Sequence, residues 1–419
     1  MTAVVTAVLT AAVALLIANF KSGEKEIEQR LERHYALADP RFERELNALL
    51  GPPLIAGNRV QVLRNGDEIF PAMLADIRAA TRTINFESYI YWSGDIGRQF
   101  AEALGERARA GVRVHVMLDA VGAAKMDDAL AERMVAAGVR LHRYHAVRWY
   151  DIGRLNNRTH RKILVLDGSV GYTGGVGIAP EWTGRAQDPD HWRDTHFRVE
   201  GPVVAQMQAV FLDNWIKVSG EVLHGDDHFP ELAAKGAQRA QMFSSSPTGG
   251  SESMALMYLL AITSAEHTID LSAAYFVPDE LMVQALVAAA RRGVRIRIVV
   301  PGEHIDAETV RAASRARWGK VLAAGASIAE YGPTMYHCKV LIVDGLFTSV
   351  GSTNFDNRSF RLNDEASLNV LDADFAAEQT AIFEDDLTRS RGVSFAQWTA
   401  RPLRERAGDW LASLVASQL

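Results

Sequence analysis

Cysteine is all but missing from this chain. Cys338 is the single one among 419 residues, which excludes an intramolecular disulfide and a thiolate zinc cluster of the CxxC…CxxC kind. An excess of positive charge is missing too. Lys and Arg total 45 against 51 Asp and Glu, a formal net charge of −6. No global field therefore draws the chain to nucleic acid, and no nucleic-acid partner is expected. Hydrophobic residues at 48% and charged residues at 23% exclude a disordered or collagen-like chain. What is left is a globular composition with the length for two or three domains.

Charge is absent altogether from Thr2 to Phe20, a run dominated by Ala, Val and Leu that Lys21 ends. About twenty apolar residues cross a bilayer as a helix, so residues 1–20 are expected to form a transmembrane anchor. A secretory signal would carry basic residues before its apolar run, and here none precede it. Lys21, Lys25, Arg30 and Arg33 all follow the run, which predicts that the rest of the chain lies on the cytoplasmic side. Residues 21–56 then read as a charged helical connector.

Beyond the connector the chain repeats itself. Thr83-Ile84-Asn85-Phe86-Glu87 is matched by Thr268-Ile269-Asp270-Leu271-Ser272, and each run follows an amphipathic segment. Gly111-Val112-Arg113-Val114 is matched by Gly293-Val294-Arg295-Ile296, and HRKILVLDG at 160–168 by HCKVLIVDG at 337–345. The offsets shrink slowly along the chain, as they do in two homologous halves with small loop differences. Each half has the size of one α/β layer domain. The expected organisation is a first domain over 57–217, a linker over 218–237, a second domain over 238–390 and a tail over 391–419.

The repeated segment carries His-x-Lys-x-x-x-x-Asp: His160, Lys162 and Asp167, then His337, Lys339 and Asp344. Ile, Leu and Val fill most positions after each Lys, as in a buried strand. Alternation along a strand puts His and Lys on one face and turns Asp away from it. His and Lys thus read as the reactive pair and Asp as a supporting partner. Gly174-Gly175 and Gly351-Ser352-Thr353-Asn354 follow as turns whose backbone can approach an anion closely. Two lysines would stabilise the non-bridging oxygens of a phosphodiester, one imidazole would attack phosphorus, and the other would protonate the departing alcohol. Neither a metal nor a cofactor is expected.

These residues resemble the phospholipase D superfamily, the HKD enzymes, and within it the bacterial cardiolipin synthase branch. The resemblance runs from about Gly57 to Leu387 and includes GNRVQVLRNGDE at 57–68, ESYIYW at 87–92, HWRDTHFRVEGP at 191–202, AAYFVPDE at 273–280 and YHCKVLIVDGLFTSVGSTNFDNRSFRLNDEA at 336–366. It implies two phospholipase D-like α/β domains packed as a pseudo-two-fold pair around one site. It implies that a phosphatidyl group passes from one phosphatidylglycerol, through a phosphohistidine, to a second, releasing glycerol at a bacterial inner membrane. Ser352 and Asn354 would contact the phosphate, Glu365 would orient His337, and Asp194 would play the matching role beside His160. Family habit makes His160 the nucleophile. Gly177 departs from the pattern, because Asn is common there. A hydrolytic phospholipase D would use the same residues with water as acceptor, and a nuclease of the superfamily would show a basic groove. A catalytically dead scaffold is disfavoured by the intact residues in both halves.

Other features have two readings each. Glu87 either touches the site or is a strand-end carboxylate. His224 and His228 form either a metal pair or a solvated loop. Tyr89, Tyr91, Trp92 and Trp182 form either a lipid-facing rim or core. The tail from Arg401, with Trp410, Leu411, Leu414 and Val415, either docks on its own domain or lies on the bilayer. Cys338, between the site residues and on the opposite strand face, reads as an inert core thiol.

Overall fold

The computed structural model describes residues 27–144, 157–247 and 252–414 and the single positions 6 and 10. Apart from those two positions, the expected anchor and the start of the connector lie outside the described residues. Among the described residues no helix is long and apolar enough to cross a membrane.

Strand order makes the duplication explicit. In the first half the strands lie side by side as Ile55–Arg64, Thr195–Glu200, Val170–Gly174, Ile163–Leu166, Thr83–Ser88, Arg113–Asp119 and Arg140–Tyr144. In the second they lie as Gln238–Ser245, Asn363–Leu371, Phe347–Gly351, Lys339–Val343, Thr268–Ala273, Arg295–Pro301 and Ser327–Tyr331, with Ser390–Val393 added at the edge. The order is the same in both. Thr83–Ser88, Arg113–Asp119 and Arg140–Tyr144 run parallel, as do Thr268–Ala273, Arg295–Pro301 and Ser327–Tyr331, and each set is joined by crossover helices, Asp95–Arg109 and Asp128–Ala136 in one half, Glu280–Arg291 and Glu308–Ala323 in the other. Central strands are buried on both faces, which is why they read as unbroken apolar runs rather than alternating ones.

The halves meet through their first strands. Gln238–Ser245 pairs antiparallel with both Ile55–Arg64 and Asn363–Leu371, so a single sheet passes through the whole molecule. Val199, Phe211 and Trp215 of the first half pack in one core with Met242, Val340, Phe375 and Phe383 of the second. Residues 220–237, within the expected linker, join the halves without helix or strand.

The tail docks on its own domain. Helix Leu403–Ser413 lies against helix Glu308–Ala323 and is tied there by Asp409, which accepts a hydrogen bond from Arg315 at 2.9 Å and pairs with Arg401.

Candidate active site

The two His-x-Lys segments sit at the seam, each held by the other half. Arg158-Thr159 pairs parallel with Asn363-Asp364, and the His160 N–H donates to the Asp364 carbonyl at 2.9 Å. Reciprocally, Tyr336 bridges to Arg193, and the His337 N–H donates to the Arg193 carbonyl at 2.8 Å. Each histidine precedes its strand rather than lying within it: the strands begin at Ile163 and Lys339. Arg161, fully buried between His160 and Lys162, points the other way and donates to the Glu365 and Ser245 carbonyls of the second half. Arg193 does the equivalent from the first half, with a two-pronged pair to Asp386 at 2.9 Å and a bond to the Asp194 carbonyl at 2.7 Å.

This crossing corrects the expected partners. Glu365 orients His160, with its two oxygens 3.0 and 3.1 Å from Nδ1. Asp194 orients His337, 2.7 Å from Nδ1. The sequence-based assignment had them the other way round, because it paired each carboxylate with a histidine of its own half. Ser352 is corrected too. Its hydroxyl is fully buried and donates to Glu365 Oε2, so it supports the carboxylate rather than facing a phosphate. Ser359 at 2.7 Å and Asn363 at 3.3 Å complete the set of donors on Glu365 Oε1. Asn354 is buried nearby with its Oδ1 unpartnered, and its N–H donates to the Ser359 hydroxyl.

In the first half Trp182 takes the place of that serine. Its Nε1–H donates to Asp194 Oδ2 at 2.9 Å, and the Thr195 N–H donates to Oδ1 at 2.8 Å. A Cβ on Gly175 would stand 2.3 Å from Asp194 Oδ1, so glycine alone lets the carboxylate in. A Cβ on Gly177 would meet Ile90 Cβ at 2.8 Å with the Trp182 ring 3.3 Å away, which explains the missing asparagine. Trp182 and Trp192 flank His337, with ring centroids at 5.2 and 5.4 Å, and Tyr89 flanks His160 at 5.2 Å.

Asp167 and Asp344 do not belong to the reacting set. Each lies at the far end of the strand from its histidine, in a left-handed turn with φ of 52°. Asp167 accepts N–H bonds from Thr81, Arg82 and Thr83, and Asp344 accepts them from Glu266, His267 and Thr268. Both carboxylates cap the start of the neighbouring strand. They do point away from the histidines, as expected, but because they sit in turns just past the strand ends rather than through alternation along the strand.

Burial governs the electrostatics. It pushes His160 down to about 4, helped by Lys162 and opposed by Glu365. It pushes His337 down to about 3, with Lys339 adding to the effect. Both imidazoles are therefore neutral near pH 7. Burial, then Lys339, lowers Lys162 to about 7, and burial lowers Lys339. The charge of one half's lysine thus acts on that of the other. Burial alone would raise Asp194 and Glu365, but the histidines and lysines beside them hold both below the usual carboxylate range. Lys162 Nζ donates to the His160 carbonyl at 2.8 Å, and Lys339 Nζ to the His337 carbonyl at 2.7 Å.

The remaining candidates divide clearly. Glu87 is fully buried behind the site, where its Oε1 accepts from Thr159 and, at 2.8 Å, from Asn214. His228 is buried, with its ring centroid 5.8 Å from that of His115, and His224 is exposed. Among the described residues no group of three His, Cys, Asp or Glu is placed to hold a metal ion. Tyr91 and Trp182 are core rather than rim. Trp92 is half-buried, with Lys125 Nζ 3.8 Å from its ring centroid. Cys338 is buried, and burial pushes its thiol up to about 12. Sequence reasoning missed Tyr275 and Asp306. The Tyr275 hydroxyl donates to Asp306 at 2.7 Å, and the charges of Asp306 and Lys339 influence each other. Tyr275 takes the place that Ile90 has in the first half, since the Phe355 N–H donates to its carbonyl as the Ile178 N–H does to that of Ile90, so the repeat carried no signal for it.

The family model described as cardiolipin synthase, PLD-like domain, matches residues 73–215 and 258–387, one stretch in each half. A cardiolipin synthase of Geobacillus kaustophilus (strain HTA426) is 35% identical over 370 residues, covering 88% of this chain and 74% of the relative. Cardiolipin synthase A of Pseudomonas syringae pv. syringae (strain B728a) is 36% identical over 346 residues, covering 82% and 71%. Among solved structures, the phosphatidylserine synthase of Haemophilus influenzae Rd KW20 has a similar fold, with a TM-score of 0.68 at 14% identity over 90% of this chain and 99% of that one.

Proposed function

The chain belongs to the cardiolipin synthase family of phospholipase D-like proteins and is an enzyme of the phospholipid phosphatidyltransferase type, and from that premise we propose that it makes cardiolipin from two phosphatidylglycerol molecules with release of glycerol. The observation that carries this reading is the crossed pair of dyads. Each imidazole has its Nδ1 on a buried carboxylate, which leaves Nε2 as the reactive nitrogen of both rings.

His160, neutral near pH 7, attacks the phosphorus of the first phosphatidylglycerol through Nε2. A P–N bond forms, the P–O bond to the glycerol headgroup breaks, and His337 gives the departing oxygen its proton. A hydroxyl of the second phosphatidylglycerol then returns a proton to His337 and attacks phosphorus, breaking the P–N bond. Lys162 and Lys339 stabilise the charge that builds on the non-bridging oxygens. The same phosphate anion, beside His337, opposes the burial and the Lys339 charge that disfavour its protonated form, so the acid takes its proton from solvent as the substrate binds. The Asn354 amide is a further phosphate contact in this reading.

The uncharged run Thr2–Phe20, with Lys21, Lys25, Arg30 and Arg33 after it, supports anchorage in the bacterial inner membrane with both halves on the cytoplasmic side. The test is incubation of the purified protein with phosphatidylglycerol alone in EDTA. Cardiolipin and glycerol in equal amounts are expected. Phosphatidic acid as the main product would make the protein a hydrolase, and activity that returns only with added metal would refute the histidine mechanism.

A further inference from the structure

Helix Leu403–Ser413 is docked the wrong way round for a helix that serves only its own core. Asp409 is its sole buried residue, and it is held by Arg315 and Arg401. The polar side thus faces the domain. Facing solvent are Leu403, Trp410, Leu411 and, just past its end, Leu414, which are 79%, 60%, 58% and 61% exposed. Their spacing puts them on one side of the helix. Half of the large exposed hydrophobic side chains among the described residues lie between Phe395 and Leu414. An apolar patch concentrated in this way marks a surface that is covered in use.

Its position in the fold says what covers it. Ala412 packs, as Tyr275 and Ala307 do, against the cluster of Val277, Val310 and Ala313. Tyr275 donates to Asp306, whose charge acts on Lys339. The helix therefore docks on the half that carries His337 and Lys339, with its apolar face turned outward. Arg404 and Arg406 are exposed on the same helix, so the apolar face is edged with positive charge although the whole chain is acidic. Trp and Leu beside Arg suit the boundary between acyl chains and anionic headgroups.

We propose that helix Leu403–Ser413 seats the second half on an anionic phospholipid bilayer, with Trp410, Leu411 and Leu414 entering the acyl boundary. The inference rests on the reading that the substrates are bilayer lipids. It brings the half that carries His337 and Lys339 to the surface that holds them.

The experiment uses the full chain and vesicles of phosphatidylglycerol brominated in the acyl chains. These should quench tryptophan fluorescence in the wild type, and Trp410→Phe should remove that quenched component. The triple change Trp410→Ser, Leu411→Ser, Leu414→Ser should lower turnover on phosphatidylglycerol vesicles about tenfold or more. Turnover on monomeric dihexanoyl-phosphatidylglycerol should be unchanged, because these side chains do not touch the reacting groups. Equal quenching of the wild type and Trp410→Phe would overturn the proposal, as would an equal fall on vesicles and monomers. It would also be overturned if the triple change broke up an oligomer and left vesicle turnover intact, since the patch would then face a second copy. Quenching at Trp410 in a protein that forms only phosphatidic acid would keep this assignment and refute the reading of the reaction.

Discussion

Glu87 carries a carboxyl group into a place that disfavours its charge. It is fully buried, two side chains donate to one oxygen, and the other oxygen has no partner. Burial raises it from 4.5 to about 7, against the pull of Arg161. A raised folded value means that its contribution to stability is complete below about pH 4.5 and is lost as pH rises through about 7. His160 and His337 titrate in the opposite sense. Their folded values are depressed, so their contribution is present above 6.5 and is lost as pH falls through about 4 and about 3. Glutamine has the shape of Glu87 without its titration. Glu87→Gln should therefore match the wild type in denaturant midpoint near pH 4.5 and exceed it at pH 7 and above. The histidines are common to both proteins and cancel in the difference. Urea unfolding at several pH values checks this, and a gap that shrinks as pH rises would mean that Glu87 is ionised at little cost.

The paired turns after the reactive strands show how one element came to be built in two ways. Gly351-Ser352 supplies a hydroxyl to Glu365, while Gly174-Gly175 supplies only room, and Trp182 brings the donor to the shorter Asp194. A serine at 175 would collide with the carboxylate it is meant to serve. Gly175→Ser should lower kcat by about a hundredfold or more with little change in KM, because it displaces the carboxylate behind His337 rather than a substrate contact. Ser352→Gly loses one hydrogen bond to a charged group and should cost about tenfold. Steady-state kinetics on both variants checks the order of the two effects. The duplication and the strand character of ILVL and VLIV were legible, because they follow from local period and repetition; Asp167 and Asp344 point away as expected, but from turns past the strand ends rather than by alternation. Which carboxylate serves which histidine was not legible. A repeat specifies two copies of an element and leaves open whether they are used within a half or across halves. The choice was made by Arg158-Thr159 pairing with Asn363-Asp364 and by Tyr336 bridging to Arg193, contacts that leave no local pattern.

At the scale of the whole molecule the two halves are not separable units. One sheet crosses the seam, one core contains residues of both, and each reactive histidine is held by the other half. Among the described residues the sheet and the buried core lie within residues 35–393. Deleting residues 1–20 should leave turnover on detergent-dispersed phosphatidylglycerol largely unchanged and lower recovery of the protein with membranes. Pelleting and a micelle assay on the truncated chain measure both. Unchanged pelleting would show that helix Leu403–Ser413 or another surface suffices to hold the protein down.

The central claim is that each half supplies the carboxylate for the other's histidine, and one burst experiment tests it most directly. A phosphatidyl ester of p-nitrophenol has a leaving group that needs no proton, so forming the covalent intermediate requires only the nucleophile and its supporting carboxylate. Rapid mixing should give a p-nitrophenol burst with His337→Ala and with Asp194→Asn, and no burst with His160→Ala or with Glu365→Gln. Glu365→Gln should thus behave as His160→Ala does, and Asp194→Asn as His337→Ala does. If Glu365→Gln instead grouped with His337→Ala, the dyads would form within each half and the crossed site would be wrong.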